Sequence, residues 1–191
     1  MDDHGGTERL TSMWRKLSKC YPPALELMPL FLLIVAIYVA FSCYPSLPVR
    51  IPIDFDSQGI AVEWANKTFI FLYACLGVFV YGPFSAANIL FAVTGNPKSL
   101  MNIPRRWKDS LSDSQTELLR STFNRHLFIL KALIVCLMLC LLYSSKQVAL
   151  EKMSGIGGLV FTLLILAIVA AIFLMVWRIT RIVRMPRLDG D

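Results

Sequence analysis

Asp54, Asp56 and Glu63 stand close together in one polar stretch of an otherwise apolar chain. Carboxylates at that spacing can pass protons or chelate a hard cation through oxygen. A solvated acidic face has the same composition, and it is the plainer reading. Two further ionisable groups, Glu26 and Lys131, lie inside apolar runs, where a charge near a bilayer centre costs at least a few kcal/mol. Both are shallow. Lys131 lies roughly 8 Å into its run from the end that Glu26 also occupies, so the two either pair or the lysine extends its ammonium to the headgroups. Cys136 and Cys140 share a helix face without a third or fourth metal ligand. Cys43 and Cys140 are placed to meet as a disulfide or to serve as apolar filler. With only His4 and His126 present, a bis-histidine haem site inside the bilayer is excluded. No phosphate-binding glycine loop, nucleophile elbow or metalloprotease helix occurs. The expectation is a protein that is not an enzyme and needs no cofactor or metal.

The elements that position these residues are membrane-spanning. A chain of 191 residues that is 56% hydrophobic and 17% charged exceeds what a single water-soluble core of that length holds. Four segments reach the roughly 20 apolar residues that cross a bilayer: about Ala24 to Tyr44, Thr68 to Val93, His126 to Ser144 and Leu159 to Trp177. The formal charge of +6 does not point to nucleic acid, because the basic residues track the membrane. Arg9, Arg15, Lys16 and Lys19 precede the first segment; Lys98, Arg105, Arg106, Lys108, Arg120 and Arg125 separate the second and third; Arg178, Arg181, Arg184 and Arg187 follow the fourth. The other two loops hold Arg50, Lys67, Lys146 and Lys152. The positive-inside rule then places both termini and the middle loop in the cytoplasm and the acidic loop outside. Ala40-Phe41-Ser42-Cys43 is not read as a signal-peptide cleavage site, since the preceding run is too long and Phe41 too bulky.

The domain plan follows: a cytoplasmic amphipathic arm over residues 1–22, a four-helix membrane domain over 23–177 and a basic tail over 178–191. In the arm, Leu10, Met13, Trp14, Leu17 and Tyr21 recur at helical spacing opposite basic residues, which fits an interfacial helix on an anionic inner leaflet. In the outer loop (45–67), Ile51, Ile53 and Phe55 alternate with polar residues, Asp56-Ser57-Gln58-Gly59 offers turn chemistry, and Ile60, Val62 and Trp64 alternate again, so a short hairpin is expected. Pro48 and Pro52 make it irregular. In the cytoplasmic loop (94–125), Ser112 with Gln115 forms a capping box opening a helix of about 32 residues from Asp113, whose first third extends outside the bilayer. Gly82 and Pro83 predict a kink in the second segment, where Tyr81, Ser85 or Asn88 can satisfy a freed carbonyl. Gly82 with Ala86, and Ala167 with Ala171, are small-residue pairs suited to close helix packing. Arg178, Arg181, Arg184 and Arg187 recur every three residues, a spacing suited to lipid phosphates.

One motif carries a resemblance. Leu47, Pro48, Ile51, Pro52, Phe55, Gly59, Trp64 and Lys67 match, in order and spacing, the pattern Leu-Pro-x-x-Ile-Pro-x-His-Phe, then Gly, Asp, Trp and Lys. This resembles a bacterial and archaeal membrane module of unknown function found in SdpI-type immunity proteins and YhfL-like proteins. Asn102-Ile103-Pro104 before a capped helix is similar as well. Asp54 stands where that family has histidine, and Val62 where it has aspartate, with Glu63 one residue displaced. The resemblance implies a helical protein of a prokaryotic inner membrane, some members giving immunity against a toxin or working with a regulator.

The fold expected is therefore all-α and polytopic: four transmembrane helices, a short outer hairpin, an interfacial N-terminal helix and a cytoplasmic extension of the third helix. The function expected is non-catalytic binding or regulation, as an immunity-type factor or an accessory subunit. Its partners would be anionic lipids and a membrane protein or a second copy of the chain, with Pro48, Pro52, Asp54, Phe55, Gly59, Glu63, Trp64 and Lys67 as the outer recognition residues. A small dimeric transporter or channel is the alternative, and an enzyme using Asp54, Asp56 or Glu63 comes third.

Overall fold

The computed structural model describes residues 11, 14–16, 18–20, 22–56, 58–100, 105–155 and 157–184. Four helical stretches are long and apolar enough to cross a membrane: Pro23–Ser46, Lys67–Val93, Asp113–Ala149 and Gly158–Arg184. The protein is an all-α polytopic membrane protein, with a single hairpin as the only sheet among the described residues. In chain order the elements are α1 (Leu27–Cys43), β1 (Arg50–Phe55), β2 (Ala61–Asn66), α2 (Ile70–Val93), α3 (Arg105–Ser110), α4 (Asp113–Ala149) and α5 (Gly158–Arg184). Trp14–Lys16 and Ser18–Cys20 of the arm are helical. Leu10, Met13, Leu17, Tyr21, His4, Asn102-Ile103-Pro104 and Arg187 lie outside the described residues.

The exposure pattern of α1 identifies its solvent. Leu33, Ala36, Ala40 and Cys43 are buried at three- and four-residue steps, while Leu27, Phe31, Ile34, Tyr38 and Phe41 recur at the same steps on the opposite side, each more than half exposed. A helix in water would carry charge on that second face. Here both faces are apolar, which suits packing on one side and hydrocarbon on the other. α5 goes further, with Leu159, Leu163, Leu166, Val169, Phe173 and Trp177 all exposed and only Ala171 and Ile182 buried.

Local chemistry sets the boundaries. Pro29 falls in the first turn of α1, where its missing N–H costs no helical hydrogen bond. At the start of α4 the Ser112 amide donates to Gln115 Oε1 at 2.9 Å and the Gln115 amide donates to Ser112 Oγ at 3.3 Å, the reciprocal capping box expected from the sequence. α4 runs five residues beyond the anticipated Ser144, because no breaker intervenes before Glu151. It stops in a Schellman turn: the Lys152 amide reaches the Gln147 carbonyl, the Glu151 amide reaches that of Val148, and Glu151 itself has φ 56°.

The chain divides into two compact units. One comprises Leu27–Pro83 and Lys131–Val169. Its core joins Ala36, Ala40 and Cys43 of α1 to Leu47, Ile51, Ile70, Tyr73, Ala74 and Leu142. Close helix contact in this unit falls at Gly77, where an added Cβ would lie 3.0 Å from Leu33 Cδ1. Gly82 was the glycine expected to fill that role, yet among the described residues nothing lies within 4 Å of the corresponding point. The other unit comprises Met1–Glu26, Phe84–Leu130 and Ala170–Asp191. Cys20, Ala92 and Phe128 pack together in it, and Phe91 joins Leu111, Leu119 and Ile182, with the Phe91 and Phe123 rings stacked 4.1 Å apart.

Candidate functional site

The hairpin is antiparallel and carries two offsetting bulges. Pro52 faces Trp64, then Asp54 faces Glu63, so Ile53 is an extra residue on β1; Phe55 then faces Ala61, so Val62 is extra on β2. A bulge leaves ladder groups unpaired, and side chains from two helices take the freed carbonyls. Tyr73 of α2 donates to the Ile53 carbonyl at 3.4 Å, and Ser145 of α4 donates its hydroxyl to that of Pro52. The Lys67 amide closes the base of the hairpin on the Val49 carbonyl at 3.0 Å.

Most of the motif residues are accounted for by this construction. Leu47, Ile51 and Pro52 are buried. Lys67 places its ammonium 4.7 Å from the centre of the Tyr44 ring, a cation–π contact that ties the two ends of the loop. Asp56 builds the turn: its Oδ1 accepts from the amides of Gln58 and Ile60 at 2.8 and 2.9 Å. Gly59 has φ 79°, the left-handed region where a side chain is strained. Its carbonyl also presses against Gly155, so closely that a Cβ there would collide with it.

The exposed hairpin surface carries apolar and acidic side chains, with Arg50 of β1 exposed as well. Val49 is 74% exposed, Ile60 and Val62 each 57% and Trp64 45%. Asp54 and Glu63 are exposed among them, directly opposite one another, although like charges in that position oppose pairing. Pro48 is exposed and Phe55 half-buried beside them. Among the described residues no group of three or more His, Cys, Asp or Glu is placed to hold a metal ion.

Of the intramembrane candidates, Glu26 ends a 3-10 turn, Pro23–Glu26. Lys131 belongs to the hairpin unit and is completely buried, with Nζ 5.1 Å from the centre of the Tyr81 ring. A lysine reaching for headgroups would expose its tip, so the ammonium here is held inside the protein instead. Pro83 lies within α2, which stays helical through it to Val93. Asn88 does not turn back along that helix: its Nδ2 donates to both the backbone carbonyl and Oδ1 of Asn124, each at 2.9 Å. All five cysteines are free, Cys43 and Cys140 included. Arg178, Arg181 and Arg184 are exposed on the last turns of α5, with the Arg181 guanidinium 5.6 Å from the Trp177 ring.

Sequence reasoning missed the polar network of the arm-containing unit. Asn124 is fully buried and passes its Nδ2 to Cys20 Sγ at 3.5 Å. Arg125 Nε donates to the Cys20 carbonyl and Arg120 Nη1 to that of Ala92, both at 2.8 Å. Those carbonyls lie at helix C-termini, which lack intrahelical donors and carry partial negative charge, so two arginines of α4 cap two neighbouring helices. Burial pushes the Cys20 thiol above its ordinary pKa of 9.0, which keeps it protonated and unreactive near neutral pH.

The segment from α1 through the hairpin into α2 is also where a known family matches. Residues 30–78 match the model of a domain of unknown function, DUF1648. Comparison with curated proteins and with solved structures gives no match.

Proposed function

We propose that this chain is a non-catalytic binding protein of a prokaryotic inner membrane, an immunity-type factor or accessory subunit that recognises its partner through the hairpin. The supporting observation is the exposed set Val49, Ile60, Val62 and Trp64 surrounding the opposed carboxylates Asp54 and Glu63. Apolar residues in that number on a two-stranded element are hidden in a complex or in lipid. Two opposed carboxylates select a basic occupant, since an incoming cation relieves their mutual repulsion.

The resemblance to SdpI-type immunity proteins supports this reading, while the DUF1648 match over residues 30–78 carries no assigned function. In those relatives a histidine and an aspartate stand near Asp54 and Glu63. The two bulges bring Glu63, displaced by one residue in the sequence, opposite Asp54, so a two-residue polar site persists with more negative charge. The basic residues around the arm, the loop before α4 and the end of α5 put that end in the cytoplasm and the hairpin outside.

The test is purification in mild detergent after photo-crosslinking from position 62. Wild type should retain a stoichiometric basic polypeptide, or protect cells against a cationic membrane-active peptide. The double variant Asp54→Asn/Glu63→Gln should lose that property at unchanged expression and melting temperature. A wild-type protein that recovers no partner and protects against nothing would defeat the proposal.

A further inference from the structure

The unit containing the arm holds a cavity with a basic lining. The cavity, of about 670 Å³, is lined by Lys16 and Lys19 of the arm and by Arg120 and Glu117 of α4, with Thr94 and Ser121 beside them. That volume is within the range of small-ligand sites. Three cations thus face one carboxylate. Arg120 is the anchored member: its side chain is 11% exposed, Nη1 is held by the Ala92 carbonyl, Nη2 is 3.3 Å from Glu117, and its buried Nε has no hydrogen-bond partner among the described residues. Thr94 and Ser121 donate their hydroxyls to the carbonyls of Leu90 and Leu118, so attraction for a ligand comes from the cations. Positive charge in excess within a protein-walled cleft focuses the field on an incoming anion. The lining also falls beside span ends in the sequence, since Lys19 precedes the apolar helix that starts at Pro23 and Thr94 follows the one that ends at Val93.

We propose that this cavity binds an anionic phosphate group, held between Lys16, Lys19 and Arg120. The phosphate belongs to a lipid headgroup or to a soluble phosphate, and the site is independent of the partner assigned to the hairpin.

The full chain in detergent is titrated in two arms. In the first, native mass spectrometry follows phosphatidylglycerol against phosphatidylcholine; in the second, equilibrium dialysis follows orthophosphate. Wild type should bind one equivalent in at least one arm. Lys16→Gln/Lys19→Gln, which alters exposed side chains and leaves folding intact, should weaken it roughly tenfold or more. Lys146→Gln/Lys152→Gln, the same loss of two charges at residues with no binding role, serves as the control and should leave it unchanged. Binding in the lipid arm identifies a headgroup site, and binding only of orthophosphate identifies a soluble ligand. Absence of binding in both arms, or binding that survives Lys16→Gln/Lys19→Gln, overturns the proposal.

Discussion

Gly59 shows how far a motif can reflect construction instead of contact with a ligand. Its φ of 79° and the approach of Gly155 to its carbonyl are two separate demands for hydrogen in place of a side chain. Gly59→Ala should therefore lower stability by about 1–2 kcal/mol through backbone strain, and Gly155→Ala by about 1–3 kcal/mol through overpacking, both read as losses of melting temperature in detergent. Equal stability of both variants to wild type would show that the turn relaxes freely. Asp56 belongs to the same class, because its carboxylate is occupied by two turn amides, and Asp54 Oδ1 likewise accepts from the Phe55 amide at 2.8 Å. The turn was legible in the sequence because Asp56-Ser57-Gln58-Gly59 is a local signal. The contact of Lys67 with Tyr44 was not, since nothing in either residue type names a partner so far along the chain.

At the scale of elements, a buried amide pair joins the Phe91–Phe123 stack and the Arg120–Ala92 hydrogen bond in tying α2 to α4 in the arm-containing unit. Asn88 and Asn124 are 1% and 0% exposed and hydrogen-bonded to each other. Truncating one strands the other, whereas removing both takes away the polar atoms together. Asn88→Leu and Asn124→Leu should each cost about 1 kcal/mol, and the double variant should cost less than their sum in a thermal double-mutant cycle. Strict additivity would mean that the two amides act separately. The start of α4 was readable from Ser112 and Gln115, three positions apart. An asparagine within an apolar run, by contrast, gives no sign of which helix it will meet. The same limit hid Arg120 and Arg125, which read as loop charges for membrane orientation and prove to cap two helix C-termini. Gly82 misled for a related reason: a small residue permits close approach, but the approach occurs at Gly77, where Leu33 of the neighbouring helix arrives.

The molecule as a whole depends on lipid as its solvent. The exposed apolar stripe of α1 and the almost wholly exposed α5 would drive aggregation in water and are ordinary in a bilayer. Apolar length alone was enough to read the spans from the sequence, and the segregation of basic residues supplies an orientation. The orientation we propose has Asp54 and Glu63 outside and the arginines of α5 in the cytoplasm. The measurement that tests it most directly is labelling of single cysteines by a membrane-impermeant maleimide, in a background cleared of the five native cysteines. Asp54→Cys should label from outside intact cells, and Arg184→Cys only after the membrane is opened. Labelling of both positions from the same side would contradict the account.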